Sequence, residues 1–370
     1  MCGLTGFWTT EFDRSLREAI DAMTDTMVHR GPDDRGVWID ESRGIALGHR
    51  RLSIIDLSPL GAQPMMSASE RWVIAYNGEI YNFAELRGQI EDIDETYPFR
   101  GDSDTEVLLA AIETFGLVEA LQRSNGMFAF ALWDRLERRL HLVRDRLGIK
   151  PLYVGRAGPS IVFGSELSAL REFPHFEARV DRQALADLLR LNSIPAPRCI
   201  YQNVEKLPPG TITTFDAVDA EGRREAFWDC RSVARRGLDA PFEGSPKEAV
   251  DRLENKLTEA VRDRMVADVP LGAFLSGGVD SSTVVALMQA LSSQPVKTFS
   301  IGFHESDYNE ATDALAVAEH LGTDHTERYL SVDDALEVIP KLPTLYDEPF
   351  ADSSQIPTYL VGSPGVGRPR

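Results

Sequence analysis

Two short strings carry side chains that could do chemistry. The chain opens MCGLTGF, with a cysteine at position 2. Removal of Met1 would give Cys2 a free α-amine, whose ordinary pKa of roughly 7.7–8.0 suits a base acting on its own thiol. The bland alternative is a small residue in a first strand, since most cysteines are unreactive. Far downstream, SGGVDSS (276–282) sits between a strand-like LGAFL and a helix-like STVVALMQAL. Gly277 and Gly278 permit a tight turn that exposes backbone N–H groups, and Ser276, Ser281 and Ser282 add hydroxyls. A helix starting after Asp280 turns its positive end toward the loop, so the string suits a phosphate. The Asp280 carboxylate is a candidate ligand for Mg²⁺ on such phosphates. No lysine lies in the turn, which excludes a Walker A loop. The bland alternative is a glycine-rich strand–helix turn with a capping serine.

The elements around these strings fall into two patterns. Over residues 1–191 short strands mix with a few helices. RWVIAYNGEIYN runs a strand, Trp72 to Tyr76, into a polar turn. GDSDTEVLLAAIETFG reads as a helix with a Ser103–Glu106 capping box and Gly116 just past its end. MFAFALWD and LHLVRD, joined by the charged RLERR, predict a hairpin. This half is expected to be an α+β layered domain of antiparallel sheets with helices. Residues 192–244, with SIPAPRC, KLPPGT and APFEGSP, read as a connecting region. From Ser245 a capping box and an apolar stripe (Ala249, Val250, Leu253, Leu257, Ala260, Val261, Met265) predict a long helix. Strands then alternate with helices, which predicts an α/β doubly wound parallel-sheet domain over 245–361. The tail 362–370, GSPGVGRPR, cannot make a further strand–helix unit.

Composition narrows the classes. Asp and Glu number 58 against 39 Lys and Arg, a net charge of −19, the wrong sign for a nucleic-acid backbone. The three cysteines (Cys2, Cys199, Cys230) form no CxxC pair, so neither a disulfide framework nor a zinc site is expected, and a reducing cytoplasm fits. No apolar run approaches a membrane span and no signal-peptide pattern precedes Gly3.

The strings MCGLTGF, HRGPDD, HRRLSIID, NGEIYN, GDSDTE, MFAFALWD and RDRLGIKPLY resemble class II glutamine amidotransferase domains. SGGVDSS resembles the pyrophosphate loop of ATP pyrophosphatases that make acyl-adenylates, and YDEPFADSSQIPTYL is similar to a synthetase domain. In this order, over residues 1 to about 361, they resemble the glutamine-hydrolysing asparagine synthetases of bacterial type. The resemblance implies an N-terminal-nucleophile fold with Cys2 as nucleophile. Asn77 and Gly78 would form the oxyanion hole, Arg51 would hold the glutamine α-carboxylate, and Glu79 and Asp104 would lie near its α-amino group. Read without it, Asp104 is a first-turn helix acid and Arg51 a solvated charge. Leu275, Ser276, Gly277, Gly278, Asp280, Ser281, Ser282 and Ile301 would bind ATP, with Asp280 on Mg²⁺. The implied reaction adenylates the β-carboxylate of aspartate; ammonia from glutamine then displaces AMP. Glutamine, aspartate and ATP are the expected partners, and a homodimer is compatible with the resemblance.

One string of such synthetases, SGxGxDE, is expected soon after PTYL and is not present. The expectation is therefore a full glutaminase half and an incomplete synthetase half. Two alternatives stand beside it: a glutaminase with a non-catalytic second module, and an amidotransferase for an acceptor other than aspartate.

Overall fold

The computed structural model describes residues 1–11, 15–303 and 309–362. The ending expected to be irregular, 362–370, lies outside the described residues except for Gly362. The chain divides into two compact units, Met1–Ala240 and Pro241–Arg370.

The first unit is a four-layer sandwich. Its strands are β1 (Gly3–Trp8), β2 (Asp34–Asp40), β3 (Ile45–Arg51), β4 (Met65–Met66), β5 (Trp72–Ile80), β6 (Gly126–Asp134), β7 (Arg139–Arg144), β8 (Tyr153–Ala157), β9 (Ser160–Gly164), β10 (Val204–Lys206), β11 (Thr211–Phe215) and β12 (Arg223–Ala226). Its helices are α1 (Leu16–Asp25), α2 (Phe83–Glu91), α3 (Asp104–Phe115), α4 (Leu117–Arg123), α5 (Leu167–Arg171), α6 (Arg182–Leu191) and α7 (Cys230–Asp239). One sheet has the order β10-β8-β9-β1-β3-β2 and the other β12-β11-β7-β6-β5-β4. Their pairings are antiparallel.

Strand alternation builds the layers. In β6, Ala129, Ala131 and Trp133 face the other sheet with Leu4, Leu47, Val73 and Phe163. Phe128, Phe130 and Leu132 point the other way, onto Leu86, Ile90, Leu108 and Ile112 of α2 and α3. Across the first sheet, Phe7 and Ala46 meet Ile20, Met23 and Leu170 of α1 and α5. Both faces of each sheet are covered, so these strands are apolar on both sides rather than alternating apolar with polar.

Two sequence expectations differ from the structure here. Residues 204–226, expected within a connecting region, form β10, β11 and β12 and complete both sheets. Their prolines and glycines mark turns between short strands, a pattern that mimics a linker. The Ser103–Glu106 capping box does not form. Ser103 Oγ caps Thr105 N–H, while the Glu106 carboxylate accepts the N–H groups of Arg100 and Gly101.

In the second unit, α8 (Pro246–Asp263) starts at the expected capping box of Ser245 and Glu248. Then follow β13 (Gly272–Phe274), α9 (Val279–Leu291), β14 (Lys297–Phe303), α10 (Ala311–Leu321) and β15 (Asp324–Leu330), and the strands pair in parallel in that order. Ala273 and Leu275 pack on one face against Val285, Ala314 and Ala318 of α9 and α10. Ile301, Phe303 and Leu330 pack on the opposite face against Val338, Ile356 and Leu360. No described helix is long and apolar enough to cross a membrane.

Candidate active site

Strand β1 pairs with β3 in the register Gly3 to Arg50, which sets Cys2 beside the residues that follow β3. The Cys2 thiol donates to the Leu52 carbonyl at 3.6 Å and its sulfur accepts the Leu52 N–H at 3.4 Å. Cys2, Arg51, Asn77, Gly78, Glu79 and Asp104 line one cavity of about 120 Å³. All six glutaminase-site residues expected from sequence therefore meet, from positions up to a hundred residues apart. Burial pushes the Cys2 thiol above its usual range, against the Leu52 N–H that favours the thiolate. Burial, with Arg30 and Lys150 nearby, lowers the α-amine of Met1, the residue before Cys2, to about 6.

Asn77 and Gly78 do not sit in a turn: β5 continues through them to Ile80, with Gly78 opposite Phe128 of β6. The preceding residue is held on both sides. Tyr76 N–H donates to Gln63 Oε1 at 2.7 Å, and His49 Nε2 donates to Tyr76 O at 2.9 Å. Burial lowers His49 to about 4, so it is a neutral imidazole. Asn77 is 1% exposed, and its Nδ2 is buried without a hydrogen-bond partner. A buried amide donor left unpaired costs about 1–3 kcal/mol unless something else fills its place. Facing a cavity that holds a thiol, it suits an oxygen that becomes negative during reaction.

Arg51 is no solvated surface charge: it is 6% exposed. Its guanidinium donates to the carbonyls of Ser58 (3.1 Å), Ile55 (3.4 Å) and Asp56, which fix it in place. Asp104, at the first position of α3, is likewise buried, and its Oδ2 accepts from Ile80 N–H (2.9 Å) and Tyr76 Oη (3.2 Å). The cavity thus offers a fixed cation and a fixed carboxylate, the pair that an α-amino acid's two charged groups require.

Sequence reasoning assigned no role to His49, Gln63, Tyr76 or Lys150. His49 and Lys150 were legible only as members of the strings HRRLSIID and RDRLGIKPLY. Cys199 is buried and Cys230 exposed, and both are free thiols.

In the second unit, Ser276, Gly277, Gly278, Asp280, Ser281 and Ser282 form one loop and the first turn of α9. Gly277 adopts φ +78, and a Cβ there would lie 2.7 Å from the Asp313 Cβ, so the turn against α10 demands glycine. Ser276 Oγ and Ser281 Oγ lie 3.0 Å apart, and Ser276 N–H donates to Ser281 Oγ. Ser282 Oγ is buried without a partner. The side chains of Leu275 and Ile301 are not in this group: Leu275 is in the core under α9 and α10, and Ile301 packs on the opposite face of the sheet.

The glutamine amidotransferase domain family matches residues 1–228, and the asparagine synthase family matches 252–363. Asparagine synthetase (glutamine-hydrolysing) 1 of Bacillus subtilis is 34% identical over 364 residues, covering 98% of this chain and 55% of its own length. A Methanocaldococcus jannaschii protein, provisionally named glutamine-hydrolysing asparagine synthetase 2, is 35% identical over 381 residues, covering 98% of this chain and 71% of its own length. Among solved structures, a Bacillus subtilis glutamine phosphoribosylpyrophosphate amidotransferase complexed with ADP and GMP aligns with TM-score 0.48 and 18% identity, covering 90% of this chain and 91% of its own. The chain spans 55% of the Bacillus relative and 71% of the archaeal one. With both domain matches in order and a third of positions identical across nearly its whole length, the chain belongs to the family of glutamine-hydrolysing asparagine synthetases.

Proposed function

We propose that the first unit hydrolyses glutamine at Cys2 and that the whole protein uses the ammonia, with ATP, to convert aspartate to asparagine. The observation that carries the first part is the unpartnered Asn77 Nδ2 in the cavity that also holds Cys2, Arg51 and Asp104. Arg51 takes the glutamine α-carboxylate, and Asp104 with Glu79 takes the α-ammonium, which carries the side-chain amide to Cys2. The terminal amine, belonging to Cys2 once Met1 is removed, accepts the thiol proton as sulfur attacks the amide carbon. Asn77 Nδ2 and the Gly78 N–H stabilise the oxyanion. Collapse breaks the C–N bond, the amine returns the proton to the departing ammonia, and a γ-glutamyl thioester remains. Water attacks that thioester, releasing glutamate and restoring the thiol.

In the second unit, the SGGVDSS loop is the proposed nucleotide site. Ser282 Oγ, buried and unpaired, and the N–H groups at the start of α9 suit phosphate oxygens. Asp280 is a hard oxygen donor of the kind Mg²⁺ takes alongside phosphates, and bound Mg²⁺ would supply charge neutralisation there. Any part played by Leu275 and Ile301 in this reading comes from their backbone, given where their side chains pack.

The test is Cys2→Ala. Ammonia release from glutamine should vanish while the folded state persists, and wild-type hydrolysis by the mutant would overturn the reading. Mass spectrometry of active protein should find Cys2 as the first residue.

A further inference from the structure

Lys150 lines the same cavity, and nothing in the proposed chemistry uses it. Its side chain is 5% exposed, an expensive place for an ammonium. The loop that carries it is tied down. Asp145 accepts the N–H groups of Leu147, Ile149 and Lys150 through its carboxylate, and the same carboxylate accepts Phe128 N–H of β6. The Lys150 carbonyl accepts Arg144 Nε at 2.8 Å. A rigid loop is thus fastened to the strand that pairs with Asn77 and Gly78, and it delivers the ammonium to the start of the chain. There Nζ contacts Met1 Sδ at 3.2 Å.

We propose that the Lys150 ammonium tunes the nucleophile electrostatically, favouring the thiolate of Cys2 in the cavity they share. The proposal rests on the reading of Cys2 as nucleophile. A cation beside a thiol favours its ionisation, which brings the reactive thiolate to lower pH. The other charges around this point are fixed from every side. Arg30, whose Nε donates to Cys2 O, is ion-paired to Glu166, which also binds His29. Asp33 approaches from the turn before β2, Arg51 from the end of β3, Glu79 from β5 and Asp104 from α3. Arg30 shares its charge with Glu166, whereas the close contact of Lys150 is the neutral thioether of Met1, which leaves with that residue.

The experiment reads the thiol directly, without relying on glutamine turnover. The pH dependence of Cys2 alkylation by iodoacetamide is followed on the N-terminal peptide by mass spectrometry, which separates it from Cys230. Wild type, Lys150→Met and Lys150→Arg are compared, and Lys150→Gln replaces the methionine variant if that one does not fold. The uncharged variant should move the alkylation midpoint up by about one pH unit, and the arginine variant should stay near wild type. An unchanged midpoint in the folded uncharged variant would overturn the proposal, as would an equal shift in the arginine variant, which would mean shape rather than charge. If Cys2→Ala retained glutaminase activity, the nucleophile reading would fail instead, and the alkylation profiles would still report on Lys150.

Discussion

Tyr76 Oη donates to Asp104 Oδ2 across 3.2 Å, and both residues are buried. Burial raises the Asp104 carboxyl to about 6, while the hydrogen bonds from Ile80 and Tyr76 pull it back down. Only the ionised form can hold an α-ammonium. KM for glutamine should therefore rise as pH falls through about 6. Tyr76→Phe removes a donor to the carboxylate, so the same rise should begin at higher pH. Initial rates at several glutamine concentrations between pH 5 and 8 measure both effects; a KM indifferent to pH would refute the role given to Asp104.

The same carboxylate has a stability consequence. Its folded-state pKa lies above the ordinary 3.8, so the folded state carries a penalty above about pH 6 that disappears below about pH 4. The difference corresponds to at most ~3 kcal/mol. Asp104→Asn should raise the melting temperature at pH 8 and leave it nearly unchanged at pH 4, with loss of glutamine binding. Thermal denaturation at the two pH values decides it: equal shifts at both would mean the effect is not ionisation.

Asn77→Ala removes an amide with no protein partner for its Nδ2. Loss of an oxyanion donor typically costs about 10²–10³ in kcat. The expected result is a fall of that order with KM within a fewfold of wild type. Steady-state kinetics check it, and a raised KM at normal kcat would instead make Asn77 a ground-state binding residue.

Arg51 can be tested without touching it. A Cβ on Gly61 would lie 2.0 Å from Arg51 Nη2 and 2.9 Å from Asp56 O. Gly61→Ala should displace the guanidinium and raise KM for glutamine with little effect on alkylation of Cys2. Arg51→Ala should raise KM by roughly tenfold to a hundredfold, from losing a charged hydrogen bond of about 1.5–3 kcal/mol. If Gly61→Ala binds glutamine normally, the carbonyl cradle does not position Arg51.

Ser282→Ala separates folding from ligand binding in the second unit. Its Oγ has no protein hydrogen bond to lose, so thermal stability should hold to within about 0.5 kcal/mol. Calorimetric titration with ATP should show weaker binding than wild type. Equal affinity would remove the hydroxyl from the phosphate site.

The chemical inventory was legible in the sequence because it lies in short local strings. A cysteine next to the start and SGGVDSS each announce their chemistry within a few residues, while NGE and GDSD did so only through the family resemblance. Helix ends were equally local where one side chain had one backbone target, as at Ser245 and Glu248. Local spacing was not enough where a side chain had a competing partner: Glu106 turned to Arg100 and Gly101 instead of the helix cap. Turn-like composition also concealed β10 to β12, because a strand of three to five residues takes its stability from the sheet it joins. What only the tertiary structure decided is the environment of each group. The sequence names Cys2, Asn77 and Asp104 but cannot say that they share a cavity of about 120 Å³ with Lys150. The register of β1 on β3 and of β5 on β6 brings them together, and burial then sets which groups hold protons and which donor is left unpaired. Desolvation and unsatisfied hydrogen bonds arise from neighbours distant in the chain, so no spacing along it encodes them.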